Sequence, residues 1–438
     1  MFTGQDKDSV LSYWRDAERY SATSLPDVKE KGSWRVRQSV EGSTWLWNYN
    51  RQIRPGKTAP GQDPKALTPQ QATWDAWIEK RVNYDYWLSE VEAAKKNSAE
   101  LGASVSPGPE PDKPGPMPSD LKAFAGDAPS FSQLVQPMFH TVTFADGTKL
   151  TYQDNINLRK KYAYYRFNEG VQSFGKKVST MEPSDLEALF NSAGISDSEM
   201  RVMKSVSLLE GGFDSVNTYD TGYVSVGFIQ FACLKDGAGS LGGVLLQMKN
   251  TYPTAFARDF HSYGIEVTNS GRLVALCPAS GLEFEGADAA QKIIADKRLV
   301  AVFQHAGQKS KEFKMAQLQV AKSQYYPADE VITVKAGGRT LSGKVKEVFR
   351  TEAGMATLMD RKVNTGKLGN LNELAASLVN RYNLSSIKEL SAYEYDLIRQ
   401  MQYRKDYLKE MSASAPRNSG VVASRSGSRS TRSTKNGG

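Results

Sequence analysis

The stretch "SVSPGPEPDKPGPMPS" carries six prolines between Pro107 and Pro118. Each proline lacks an amide hydrogen and fixes φ. This density therefore excludes a helix or a central strand and favours extended polyproline backbone. A chain broken this way is expected to fold as separate bodies joined by a semi-rigid spacer. Its 438 residues are also too many for one small core. The expected division is a Trp-rich helical domain at 1–97, a linker at 98–120, a main domain at 121–411 and a tail at 412–438.

All seven tryptophans precede the break: Trp14, Trp34, Trp45, Trp47, Trp74, Trp77 and Trp87. "TPQQATWDAWIEKRVNYDYWLSEVEAAKK" reads as one long helix, with Trp74, Trp77, Tyr84 and Leu88 at helical spacing. Thr68, Pro69 and Gln71 supply its N-terminal signal: a capping hydroxyl, a first-turn proline and a return acceptor. The aromatics suit either a small core or an exposed surface that docks a protein partner or stacks on sugars.

The main domain alternates short strand signals with longer helical ones, so the expected class is mostly α (α+β). "HTVTFADGTKLTYQD" places Asp146-Gly147 between alternating segments, a hairpin signature. "INLRKKYAYYRFNEGVQSF" reads as helix, as do "EPSDLEALFNSAG" and "DSEMRVMKSVSLLEGG". A further hairpin is expected in "IEVTNSGRLVAL", and another hairpin or a turn in "VITVKAGGRTLSGK". The tail holds Arg417, Arg425, Arg429, Arg432 and Lys435 and no acid, which is five of the net +8. Rich in Ser and Gly, it is expected to be disordered and able to contact an anionic polymer. No apolar run approaches the ~20 residues of a membrane span. No signal peptide is visible in "MFTGQDKDSV", so a role at the cell wall calls for another export route, a phage or an injection apparatus. Cys233 and Cys277 are too few for a disulfide scaffold, and whether they pair stays open.

Chemistry concentrates in "LLEGGFDSVNTYDTGYVSVGFIQF", Leu208 to Phe231. Glu210 falls in the last turn of an apolar-faced helix, and Gly211 or Gly212 is positioned to cap it in the left-handed conformation. A carboxylate there meets the negative end of the helix dipole, and Leu208, Leu209 and Phe213 are placed to desolvate it. Both effects keep its proton on, as a general acid for glycoside cleavage requires. The hairpin that follows would wall a cleft. Asn217, Tyr219, Tyr223, Ser225 and Gln230 would hold a glycan, Gly227 would admit close backbone approach, and Asp220 at the tip would hold water or stabilise positive charge at the anomeric carbon.

A glutamate closing a helix, then a hairpin with an aspartate, then "GFIQ", resembles the lysozyme-like superfamily. The pattern is nearest to goose-type lysozymes and lytic transglycosylases, whose motif ends Gly-Leu-Met-Gln. Glu210 matches the family's acid, Gly227 to Gln230 match that run, and Asp220 sits where goose-type enzymes carry an assisting aspartate. "AGMATLMDRKVNTG" resembles a later helix of the chitosanase and lysozyme group, with Asp360 and Asn364 about one turn apart. Gly211 replaces the usual serine after the acid, and Ala232 replaces a second aspartate. Lytic transglycosylases manage with one glutamate because the substrate's own 6-hydroxyl attacks the anomeric carbon.

The resemblance implies a lysozyme-like helical domain with a small β-hairpin and a bacteriolytic muramidase of bacterial or phage origin. Such a domain is a glycoside hydrolase or lytic transglycosylase cleaving β-1,4 linkages of peptidoglycan in cell wall degradation, without cofactor or metal. The alternative is an inactive lysozyme-like domain that binds glycan or serves as an assembly part of a phage or secretion apparatus. Other signals are weaker. "GAGSLG" matches a nucleotide-loop pattern without a βαβ unit around it. His140, His261 and His305 lack metal-ligand spacing, and no GxSxG elbow exists. Glu283 and Glu285 read as a solvated loop.

Overall fold

Thr3 starts the first helix. Its hydroxyl accepts from the Asp6 amide, and the Asp6 carboxylate accepts from the Thr3 amide at 2.8 Å. The computed structural model describes residues 1–25, 28–53, 67–157 and 164–409. Helix α1 (Gly4–Arg15) buries Val10 and Trp14, and the Trp14 indole donates to the Tyr263 carbonyl at 3.0 Å. Then come β1 (Tyr20–Ser24), β2 (Arg35–Gln38), α2 (Val40–Ile53) and the 33-residue α3 (Pro69–Leu101). The Thr68–Gln71 capping box opens α3 as its sequence signals, and Gly102 ends it in the left-handed conformation.

Beyond the prolines lie β3 (Ser132–Val135), β4 (Met138–Thr143) and β5 (Lys149–Gln153). β1 pairs with β4, β4 with β5, and β2 with β3, all antiparallel. Residues 1–97 therefore do not stand apart as a domain. A strand needs a partner for its amides, and the partners of β1 and β2 come from after the break. The buried tryptophans divide accordingly. Trp14 joins the larger core, which runs from Phe2 to Tyr407, while Trp74 and Trp77 join a smaller one with Leu46, Ile78, Tyr86 and Phe131.

The proline segment lies along α3 instead of spacing two bodies. The Trp77 indole donates to the Gly115 carbonyl at 2.9 Å and the Trp87 indole to the Gly108 carbonyl at 3.0 Å. A proline-rich strand retains its carbonyls though it lacks many amides, and the α3 indoles supply matching donors.

The remaining chain contributes β6 (Gln172–Ser173), α4 (Pro183–Ser192), α5 (Asp197–Ser207), β7 (Val216–Asn217), β8 (Ser225–Val226) and β9 (Phe231–Ala232). β6 to β9 form one four-stranded sheet in sequence order. A helix expected over 156–174 is absent from its described part. The Arg166 and Phe167 amides instead donate to the Tyr219 carbonyl at 2.7 and 3.2 Å, so a tertiary partner overrides local preference. Residues 158–163 lie outside the described residues, as do 410–411 and the tail. Next come α6 (Ser240–Thr251), the sheet β10 (Ile265–Val267), β11 (Leu273–Leu276) and β12 (Glu283–Glu285), then α7 (Lys297–Lys309) and α8 (Lys311–Val320). The hairpin β13 (Val331–Ala336) and β14 (Arg339–Lys344), α9 (Glu352–Thr365) and α10 (Glu394–Met401) follow.

The three hairpins fall where their sequences place them, and helices with small sheets make the class mixed α and β. Cys233 and Cys277 are both buried free thiols. Among the described residues no helix is long and apolar enough to cross a membrane.

Candidate active site

Ser196 caps α5, its hydroxyl accepting from the Glu199 amide, and Lys322 donates to Glu199 at 3.0 Å. α5 buries Val202, Met203 and Val206. Its other anchor is Arg201, which forks onto Glu352 of α9 at 2.7 to 3.1 Å. Glu352 is fully buried, so the fork fixes α5 against α9 in both position and rotation. Past Ser207 the chain makes one further turn, the Glu210 amide donating to the Ser207 carbonyl at 3.0 Å. Glu210 thus projects from the turn that continues α5, at the negative end of that helix.

Neither Gly211 nor Gly212 has a positive φ, so neither forms the expected left-handed cap. They are required by close approach. The Gly212 amide donates to the Phe174 carbonyl at 3.0 Å, and a Cβ on Gly212 would stand 2.0 Å from the Lys176 carbonyl oxygen. Residues 174–177 therefore cross directly over the two glycines and form a wall beside Glu210.

The surroundings of Glu210 also differ from the dry pocket expected. Leu208 and Leu209 stand 47% and 41% exposed and do not desolvate it, although Phe213 is buried. A guanidinium replaces them. Arg404 Nη1 lies 2.6 Å from Glu210 Oε1, and Arg404 Nε donates to Asp360 Oδ1 at 2.8 Å. Burial disfavours the Arg404 charge, but Glu210 and then Asp360 outweigh it and raise its pKa. Asp360 is almost wholly buried in α9, and Asn364 donates to its Oδ1 at 3.2 Å. The pairing of Asp360 and Asn364 one turn apart thus belongs to the anchor behind the acid.

Glu210 keeps 14% of its side chain exposed and lines a cavity of about 240 Å³ with Phe174, Lys177, Ser179, Leu208 and Leu209. Asp220 and Arg404 are not among the lining residues, so the guanidinium meets the carboxylate away from the cavity.

The hairpin residues turn inward. Asp220 Oδ1 accepts from the Gly222 amide at 2.8 Å and Oδ2 from Asn217 Nδ2 at 3.0 Å, closing the turn. Burial raises the Asp220 pKa, against these two hydrogen bonds. Tyr223 is buried against Phe167 with φ +63, and Ser225 is buried in β8. Tyr219 is half-buried beside Tyr165, and burial followed by Asp220 pushes its phenol up to about 12. Gln230 Nε2 donates to Ser215 Oγ at 2.7 Å and to the Gly227 carbonyl at 3.1 Å. Gly227 has φ +87, and a Cβ there would stand 2.2 Å from Gln317 Oε1. These residues build the hairpin and its base, so the glycan-holding surface expected of them is not on display.

Three residues at the site were not read from the sequence: Arg404, Phe174 and Lys177. Arg404 lies in "QYRKDY", far along the chain, in a stretch whose pattern predicts helix over 386–411 but which stands outside α10 and so points its guanidinium by tertiary contact. Phe174 closes the segment whose local signal is helical, and Lys177 follows it in a stretch without a pattern. Neighbouring Lys176 lines a second cavity of about 350 Å³ with Asp214, Gln308 and Lys314. There the buried Asp214 accepts from the Lys176 amide at 2.8 Å and from Gln308 Nε2 at 3.1 Å. Burial lowers the Lys314 pKa. Among the described residues no cluster of His, Cys, Asp or Glu could hold a metal ion.

Compared with known families, curated proteins and solved structures, the chain matches none.

Proposed function

We propose that this chain is a lysozyme-like enzyme that cleaves β-1,4 linkages of peptidoglycan, with Glu210 as its acid. The observation that carries the reading is a carboxylate at a helix end, open to a cavity on one side and held by a buried-anchored guanidinium on the other. Fixed orientation of one carboxyl against a glycosidic oxygen supplies much of what such a cleavage needs. Asp220, committed to its own turn, acts through the hairpin it holds and not on the sugar.

That leaves one carboxylate, which favours the lytic transglycosylase route. Glu210 protonates the glycosidic oxygen as the bond to the anomeric carbon breaks. The resulting carboxylate then takes the proton of the C6 hydroxyl, whose oxygen closes onto the anomeric carbon. Glu210 ends protonated again, and the product carries a 1,6-anhydro end. The test is digestion of purified peptidoglycan by wild type and Glu210→Gln with mass analysis of products. Anhydro ends from wild type alone support this route, and reducing ends mean that water attacks instead. No release from pH 4 to 8 sinks the enzymatic reading.

A second reading, a glycan-binding or assembly protein on the same scaffold, is favoured by the Glu210–Arg404 pair. A neighbouring guanidinium stabilises a carboxylate in its charged form, which is not the form that donates a proton. Retention of peptidoglycan without cleavage would support it.

A further inference from the structure

Phe174 stands 60% exposed, and with Leu208 and Leu209 it rims the cavity beside Glu210. Among the described residues twelve large apolar side chains are more than a third exposed, and three of them surround this one cavity. Exposed apolar groups gathered around a concave polar site mark a binding face. Glu210 is already ion-paired to Arg404, so its charge is compensated from behind. Among the described residues the only other charged side chain lining the cavity is Lys177. Among the described residues no ion pair or hydrogen bond engages the Lys177 ammonium; its carbonyl accepts from Thr180, and an isolated bridge joins its backbone to Gly212. That bridge fixes the Lys177 backbone two residues from Glu210, on the wall formed by 174–177.

We propose that Lys177 and Phe174 form a subsite selecting glycans that carry a carboxylate substituent over neutral or amine-bearing ones. The proposal rests on Glu210 facing a glycan strand, as argued above. Phe174 offers its face to the apolar side of a sugar ring, and Lys177 meets an anionic group on that sugar or its neighbour. A cationic glycan would meet an uncompensated ammonium at the same place, which disfavours it. A lysine suits this task because its flexible stem reaches a carboxylate whose position varies along a polymer.

The test is isothermal titration at low salt on the full chain carrying Glu210→Gln, so that nothing is cleaved. The probes are two hexasaccharides, one of β-1,4 N-acetylglucosamine and one alternating N-acetylglucosamine with N-acetylmuramic acid. The acidic hexamer is expected to bind about threefold to fivefold more tightly, the range of one partly exposed ion pair. Lys177→Gln should abolish the difference and Lys177→Glu should invert it, with 0.5 M salt acting as Lys177→Gln does. Phe174→Ala should weaken both probes equally. Equal affinities in the Glu210→Gln chain, or a preference that survives Lys177→Gln, overturn the subsite while leaving the assignment of Glu210 standing. Failure of both probes to bind overturns the subsite and the glycan reading together.

Discussion

Arg404 meets Glu210 with Nη1 at 2.6 Å and Asp360 with Nε at 2.8 Å, so one guanidinium joins the turn after α5 to the body of α9. Asp360 is 1% exposed and Arg404 15% exposed at the side chain. Removing the cation strands a buried carboxylate. Arg404→Leu is expected to cost about 3–5 kcal/mol in urea unfolding, the scale of breaking a buried ion pair. Adding Asp360→Leu to it should recover much of the loss. A single replacement that costs under about 1 kcal/mol would mean the clamp is solvated.

The same guanidinium sets a direction for the pH profile. It stabilises the charged form of Glu210, whereas cleavage starts from the protonated form. The cleavage rate should therefore rise as pH falls from neutral into the acid range. Arg404→Gln, assayed well below its melting temperature, should move that limb to higher pH. An unchanged profile in Arg404→Gln would remove the guanidinium from the chemistry.

Gly227 tests whether the "GFIQ" run serves the fold or the ligand. At φ +87, with a Cβ 2.2 Å from Gln317 Oε1, alanine combines backbone strain with a clash. Gln317 also donates to the Phe213 carbonyl at 2.9 Å, so its displacement disturbs the base of the hairpin. Gly227→Ala should destabilise the protein by about 1–3 kcal/mol, read by thermal melting. Wild-type stability in this variant would return Gly227 to the ligand-approach role.

His261 governs how firmly α1 is held. Its ring stacks on Phe2 at 4.6 Å, with Glu266 at 2.9 Å and Asp6 at 3.5 Å. Hydrogen bonding to Glu266 raises its pKa above the usual 6.5, against partial burial. A raised histidine contributes stability that is complete below about 6.5 and lost as pH climbs through the folded value. Lys249 also faces Glu266, at 2.9 Å, and Lys7 faces Glu283, at 3.3 Å. Intrinsic-rate-corrected hydrogen exchange of α1 amides should quicken from pH 6 to 9 in wild type, and His261→Gln should be fast at both. Equal protection of α1 at pH 6 and 9 in wild type would dissociate the helix from this titration.

Local order was legible wherever its cause is local. The Thr68–Gln71 box, Gly194 ending the "EPSDLEALFNSAG" helix, and the Asp146-Gly147 turn all rest on contacts within a few residues. The prolines suggest a division that the fold does not make, because β1 and β2 find partners across them and the α3 indoles capture the Gly108 and Gly115 carbonyls between them. The glycines after Glu210 carry a local cap signal but serve close approach instead, since the chain that crosses them comes from 174–177.

By itself the sequence determined that Glu210 ends an amphipathic helix and that a hairpin follows, since periodicity, capping and turn chemistry act over one or two turns. Only the tertiary structure decided what that carboxylate meets. An ion pair depends on distance in space, and Arg404 arrives from a segment whose local pattern gives no sign of where it will lie. The same holds for the inward turn of Asp220, Tyr223 and Gln230, because which side of a turn between two-residue strands is buried is settled by what packs against it.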